Sequence, residues 1–175
     1  MGEKSPGTFP SQTLRTLYTD AERSLHAYQN VLVSIESVEP TLDTIERLNK
    51  AVQAAARLHP KGVGFLVVIH SDAKPPNDEA RDQIKKALPV MGSNMKGVAY
   101  VMQGEGFLAS AKRSVLTLIM TTARFSFPFK VFSGVHEAST WLFRTMADAA
   151  PRTGALEFAA MVDEVVREQF GKISR

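Results

Sequence analysis

The apolar residues of this chain alternate between short β-like runs and longer helical repeats. Val63–His70 is an almost entirely apolar run rich in β-branched residues, which is typical of a central strand buried on both faces. Leu14–Tyr18 and Tyr28–Ile35 also read as strands, and the polar stretch between them predicts a turn that makes the two runs a hairpin. Val98–Met102 and Phe129–Phe132 complete a predicted sheet of about five strands.

Between these runs, apolar residues recur every three to four positions, as they do along one face of a helix. The first predicted helix begins after Thr41, a good N-cap residue, and ends near His59-Pro60, because proline cannot continue a helix. The same spacing predicts further helices at about 77–88, 107–122, 135–149 and 155–171. Strands that alternate with helices after an opening hairpin indicate an α/β fold. Its sheet should be mixed and mostly parallel, with flanking helices and a C-terminal helix.

Length and composition fit one domain with short extensions. The chain has 175 residues, 44% of them hydrophobic and 22% charged, which is ordinary for a globular protein. We assign residues 1–12 to a loose N-terminal tail, 13–150 to the α/β domain and 151–175 to a C-terminal helical extension. The absence of cysteine excludes disulfides and thiol catalysis and is compatible with the cytoplasm, where we expect the protein. We also expect no signal peptide and no integral membrane segment, since no apolar run is long enough.

The net charge of +3 conceals an uneven distribution. Between Lys85 and Lys130 there are seven basic residues and one acidic residue, Glu105, whereas the remainder of the chain is slightly acidic. If the basic side chains share a face, that face would attract an acidic protein, a phosphate or an anionic lipid head group. An ordinary solvated surface would have the same composition.

Two segments carry a family resemblance. The strand Val63–His70 leads into a loop and helix, and the closing strand Phe129-Lys-Val-Phe-Ser is followed by Glu137-Ala-Ser-Thr-Trp-Leu. In these segments and in its element order, from about Leu14 to Ala149, the chain resembles the STAS superfamily and its SpoIIAA-like stand-alone branch. The resemblance implies a domain that is not an enzyme and that binds a protein partner, a nucleotide or a lipid-like ligand.

Ser71 is the candidate phospho-acceptor that this resemblance implies. Many STAS domains are switched by phosphorylation at the helix start after the central strand, which here is His70-Ser71-Asp72-Ala73. The segment departs from the family's Asp-Ser-x-Gly pattern, because Ser71 precedes Asp72 and no glycine follows two residues later. A loop serine that caps a turn is the simpler interpretation.

The predicted helix at about 107–122, with the strand after it, supplies a candidate partner or ligand surface. Its apolar residues spread around more than half of the circumference, so part of the helix is exposed unless it is buried on two sides. The candidate surface residues are Phe107, Lys112, Arg113, Leu116, Met120 and Lys130. Trp141, in the following helix, is expected in the core.

No group of residues predicts catalysis. The four histidines lie in different elements without metal-ligand spacing, and no activated nucleophile or carboxylate pair stands out. We therefore expect no enzyme, no metal, no cofactor and no nucleic-acid partner. The first functional hypothesis is a regulatory domain that binds a protein partner, with the basic segment favouring acidic partners. The alternative is a carrier or sensor of an apolar anionic molecule, such as a fatty acid or phospholipid, and a homodimer is compatible with either.

Overall fold

The strands form one mixed sheet. The computed structural model describes residues 13–38, 40–73, 94–104 and 126–171, and between them residues 78, 79, 82, 83, 86, 106, 109–111, 113, 114, 116 and 117. Within these residues the strands are β1 (Arg15–Thr19), β2 (Arg23–Tyr28), β3 (Val31–Glu36), β4 (Val63–Ile69), β5 (Met95–Met102) and β6 (Phe129–Phe132). They lie side by side in sequence order, antiparallel from β1 to β3 and parallel from β3 to β6. The predicted fold class is confirmed, with one strand more than expected.

The additional strand is β2, which begins within the predicted turn and continues through residues assigned to no element. It pairs with both β1 and β3, so the predicted hairpin between the two outer runs is wrong. The real turn is tighter, since the Asp20 carboxylate accepts hydrogen bonds from the backbone N–H groups of Glu22 (2.8 Å) and Arg23 (2.7 Å). A second two-residue turn begins at Gln29, whose φ is 50°. Because β2 carries buried polar side chains such as His26, the pattern of apolar residues does not identify it as a strand.

The helices with complete bounds in the described part of the chain are α1 (Leu42–Leu58), α2 (Val135–Met146) and α3 (Ala155–Gly171). Helix α1 begins as predicted, because the Thr41 hydroxyl accepts a hydrogen bond from the backbone N–H of Thr44 at 3.3 Å. Helix α2 ends earlier than predicted, since Ala147 has a φ of 47° and starts a 3₁₀ turn, Ala147–Ala149. No helix in the described ranges has both the length and the apolar composition needed to span a bilayer.

The two other predicted helices, at about 77–88 and 107–122, fall largely outside the described residues. The residues that are described there, among them Asp78, Asp82, Arg113 and Leu116, have helical backbone conformation.

Helices cover both faces of the sheet. On one face, α2 and α3 pack over the parallel strands and form the larger core, which includes Val33, Leu66 and Leu142. On the other face, Val52 of α1 packs with Phe65 and other apolar residues of the sheet. The central strand β4 is consequently buried on both faces, as its continuous apolar run predicts.

Helix α3 is part of the larger core. Phe158 and Val162 are fully buried, and the ring of Phe158 lies 5.6 Å from that of Tyr28 and 5.1 Å from that of Phe143, measured between centroids. The hydroxyl groups of Tyr28 and Thr153 also share a hydrogen bond. The helix that the sequence assigns to an extension therefore contributes to the same core as the sheet.

His26 on β2 makes the stability of the fold depend on pH. It is buried, with Nδ1 3.2 Å from the Thr16 hydroxyl. Burial lowers the pKa of His26, and the nearby Glu168 carboxylate on α3 only partly opposes this. Because the folded-state pKa lies below the unfolded value, the stability contribution of neutral His26 is complete above the unfolded pKa. It is lost as the pH falls through the folded-state pKa.

We expect the wild-type protein to lose more unfolding free energy than His26→Gln between about pH 7.5 and about pH 5, because only the histidine gains a proton on unfolding in this window. Urea denaturation of both proteins across this range measures the difference. Identical pH profiles would show that His26 is not responsible for any loss at acidic pH.

Candidate functional site

An open groove of about 1000 Å³ runs along β6, the last strand of the sheet. Helix α2 forms one wall, and described residues of the 106–117 segment form the other. The lining side chains are Ser110, Arg113, Ser114, Thr117, Lys130, Val131, Phe132, Ser133, His136, Glu137, Thr140, Trp141 and Arg144. We call this feature the β6 groove.

The amphipathic pattern of α2 places its polar side beside β6. His136, Thr140 and Arg144 follow one another at intervals of four residues and therefore share one side of the helix. The opposite side carries buried residues, including Leu142 and Met146, which pack on the sheet. Burial of the apolar side therefore fixes which residues face the groove.

Cationic groups outnumber acidic ones in the β6 groove. Arg113, Lys130 and Arg144 line it, against one carboxylate, that of Glu137. Lys130 and Arg144 are exposed, and no ion pair joins either of them to another described residue. The groove thus presents unneutralised positive charge from both β6 and α2.

Arg113 has a structural role besides its charge. Its Nη1 donates hydrogen bonds to the backbone carbonyl oxygens of Met102 (3.3 Å) and Gly104 (3.1 Å), which lie at the end of β5 and just after it. The guanidinium group therefore ties the 106–117 segment to the sheet, and one wall of the groove depends on it.

Two aromatic side chains give the groove an apolar floor. The rings of Phe132 and Trp141 lie 5.6 Å apart between centroids and are inclined by 51°. Trp141, which the sequence predicts in the core, is half-buried: it packs against the larger core and also lines the groove. Aromatic residues beside arginine are typical of the energetically important parts of protein interfaces.

Two hydroxyl groups of the groove donate hydrogen bonds to the helices that carry them. Ser114 donates to the carbonyl oxygen of Ser110 (3.1 Å), and Thr140 donates to that of His136 (2.9 Å). Such bonds to the residue four positions earlier are common for serine and threonine in helices. In both bonds the hydroxyl donates to a backbone carbonyl oxygen.

The structure brings two of the six predicted surface residues, Arg113 and Lys130, into the β6 groove. Leu116 is half-buried and does not line it. Phe107, Lys112 and Met120 lie outside the described residues.

The α2 wall is the part of the groove that sequence reasoning missed. The sequence contains a usable signal, because His136, Thr140 and Arg144 form a polar stripe opposite the apolar side of the same helix. The sequence does not show, however, that β6 lies beside this stripe.

Ser71 lies apart from the groove, at the carboxyl end of β4. Its Oγ donates to the Asp72 carboxylate at 3.3 Å, and the backbone N–H of Asp72 donates to Nδ1 of His70 at 3.3 Å. A Cβ atom placed on Gly104 would lie 3.1 Å from the Cβ of Ser71, so the loops after β4 and β5 are closely packed. A phosphoryl group on Ser71 would therefore stand beside the loop that Arg113 holds.

A second polar cluster is buried beneath α1. Glu36 is 5% exposed, accepts a hydrogen bond from the Ser34 hydroxyl at 2.6 Å and lies 3.3 Å from Nε of Arg23. Burial raises the pKa of Glu36, and the hydrogen bond from Ser34 and the charge of Arg23 oppose that effect. The cavity beside this pair measures about 30 Å³, which is large enough for a water molecule and too small for a metabolite. This cluster is a structural ion pair.

Comparison with solved structures finds a protein of similar architecture. It is an uncharacterized protein of the DUF3478 family from Shewanella loihica PV-4, described as having a SpoIIAA-like fold. The similarity has a TM-score of 0.46 at 17% sequence identity and covers 77% of this chain and 98% of that chain. Its description names the same fold that the sequence resembles, but a likeness at this level says nothing about the groove or its ligands. No family model and no curated protein matches the sequence.

Proposed function

We propose that this protein is a non-enzymatic, STAS-like regulatory domain that binds a protein partner, and that the β6 groove holds an acidic segment of that partner. The observation that supports this most is the positive charge of Lys130 and Arg144, which flank the apolar floor formed by Phe132 and Trp141. Carboxylates on the partner would be attracted to these cations, and its apolar groups would cover the two rings.

The alternative occupant is an apolar anionic molecule such as a fatty acid or phospholipid. The same cations would hold its head group, but its tail would need an enclosed apolar space. Among the described residues the β6 groove is open to solvent, and the cavity beside Glu36 measures only about 30 Å³. The geometry of the described residues therefore favours a protein segment over a lipid tail.

Charge reversal in the groove tests the proposal. The probe is a fluorescent peptide of about ten residues that alternates glutamate and valine, a composition suited to a cationic groove with apolar contacts. We expect the double variant Lys130→Glu/Arg144→Glu to bind it at least about tenfold more weakly than wild type, because two attractive charges become repulsive. Fluorescence anisotropy measures the affinity, and thermal unfolding checks that the variant is folded.

Lys61→Glu is the matched control, since Lys61 is exposed in the turn between α1 and β4 and lies outside the groove. It should bind like wild type. Equal binding by all three proteins, or equal weakening by Lys61→Glu, would show that the groove does not select the peptide. Native mass spectrometry of the purified protein tests the alternative, and we expect to observe the chain without a bound lipid. A lipid bound to the wild-type protein but not to the double variant would show that the groove binds lipid, as a carrier would.

A further inference from the structure

We infer that the acidic partner binds as an extended strand that adds to the sheet at the outer edge of β6. This inference rests on the proposed function, because it specifies the conformation in which the partner occupies the groove. Strand addition is a common mode of peptide recognition, in which main-chain hydrogen bonds give affinity and side-chain contacts give specificity.

On the outer side of β6, Val131 offers its backbone groups to such a strand. The strand pairs with β5 in parallel from Phe129 to Phe132, and no other strand of the described residues lies beyond it. The backbone N–H of Val98 donates to the carbonyl oxygen of Pro128 at 3.0 Å, so the even-numbered residues direct their backbone groups towards β5. Because these groups alternate between the two sides of a strand, the N–H and C=O of Val131 point away from β5.

The lining of the groove shows that it follows the edge of the strand rather than one face. Consecutive residues of a strand point to opposite faces, yet Lys130, Val131 and Phe132 all line the groove. The space contacts Val131 as well as its two neighbours, and residues of α2 and of the 106–117 segment also line it, which places the space at the outer edge of β6. A partner strand in this space would continue the sheet, with α2 on one side and the 106–117 segment on the other.

The charge at this edge selects an acidic strand over a second copy of this chain. Pairing of two β6 edges would bring the Lys130 side chains of both copies together, and like charges across a strand pair are destabilising. Lysine on an edge strand is a known protection against such self-pairing. An acidic strand would instead place carboxylates opposite Lys130 and within the field of Arg113 and Arg144.

The size of β6 limits the segment that it can bind. The strand has four residues and therefore spans about 13 Å at roughly 3.3 Å per residue. We expect it to pair with about four residues of the partner. Those whose side chains point towards α2 meet Trp141 and Arg144, and acidic side chains fit there beside apolar ones.

The test compares the glutamate–valine peptide with a version in which every backbone nitrogen is methylated. The methylated peptide keeps the charges and side chains but cannot donate hydrogen bonds to β6. We expect methylation to weaken binding by at least about tenfold. Val131→Pro should weaken binding of the unmethylated peptide similarly, because proline removes the outward N–H without removing a bond to β5. Lys61→Glu, which lies outside the groove, should bind the unmethylated peptide like wild type.

The outcomes separate this inference from the proposed function. If the methylated peptide binds equally well, and Lys130→Glu/Arg144→Glu still abolishes binding, the groove takes an acidic partner that is not a strand, and the inference is overturned. If neither peptide binds, the proposed function fails, and the inference fails with it. Should Val131→Pro unfold, the two peptides still decide the question on the unaltered protein.

Discussion

Replacing Phe158 with alanine is expected to lower the free energy of unfolding by about 3–5 kcal/mol, the usual range when a buried phenylalanine is truncated. Phe158 has no exposed surface, and its ring lies between those of Tyr28 on β2 and Phe143 on α2. The truncation would leave a cavity bordered by three elements, which cannot all move inward to fill it. Urea denaturation followed by circular dichroism measures the change.

The number of transitions in the unfolding curve also tests whether α3 unfolds together with the rest of the domain. Because α3 shares the larger core, Phe158→Ala should unfold in one transition with a lower midpoint. Phe158→Leu, which keeps most of the apolar volume, should lose less than about 1.5 kcal/mol. Two separate transitions, with the sheet retaining wild-type stability, would show instead that α3 is an independent extension.

Asn30→Ala is expected to destabilise the fold by about 2–4 kcal/mol, because it leaves one buried and one part-buried carbonyl group without their donor. Asn30 is 8% exposed, and its Nδ2 donates to the carbonyl oxygens of Gly62 (2.7 Å) and Ala149 (2.6 Å). One amide group therefore joins the turn between β2 and β3 to the turn after α1 and to the 3₁₀ turn after α2. Thermal and urea unfolding measure the effect.

Two further variants act as controls for Asn30. Asn30→Asp keeps the shape but directs carboxylate oxygens at carbonyl oxygens, so it should destabilise at least as much as alanine. Asn94→Ala removes one half-buried hydrogen bond, from Nδ2 to the carbonyl oxygen of Ala56 at 3.2 Å, and should cost about 1 kcal/mol. A loss for Asn30→Ala no larger than that for Asn94→Ala would contradict the role of Asn30 as a link between three turns.

The elements that the sequence predicts well are those with a local signal. The apolar run of Val63–His70 identifies β4 because a strand buried on both faces needs no polar alternation. Thr41 and His59 mark the ends of α1, since capping depends on neighbouring residues alone. Strand β2 was missed because its buried polar residues Ser24 and His26 interrupt the apolar pattern, and only their neighbours in the folded chain explain them.

In the candidate site, too, the sequence predicts some residues, whereas others depend on contacts between distant parts of the chain. The concentration of basic residues predicts Arg113 and Lys130 as surface cations, and both line the groove. Trp141 and Arg144 were not predicted there, because their place depends on how α2 folds back beside β6 after the turn at Gly134. A helical wheel distinguishes the polar side of α2 from its apolar side. Only the tertiary fold shows that β6 lies next to the polar side.

The most direct test of the central claim is an NMR titration of the ¹⁵N-labelled protein with the glutamate–valine peptide. We predict saturable amide shifts concentrated at Val131 on β6 and at Thr140 and Arg144 on α2, with little change at Lys61. We also expect the Val131 amide to become protected from hydrogen exchange in the complex, since the bound strand would accept its hydrogen bond. Shifts centred on the loop around Ser71, or spread evenly over the surface, would contradict the β6 groove as the binding site.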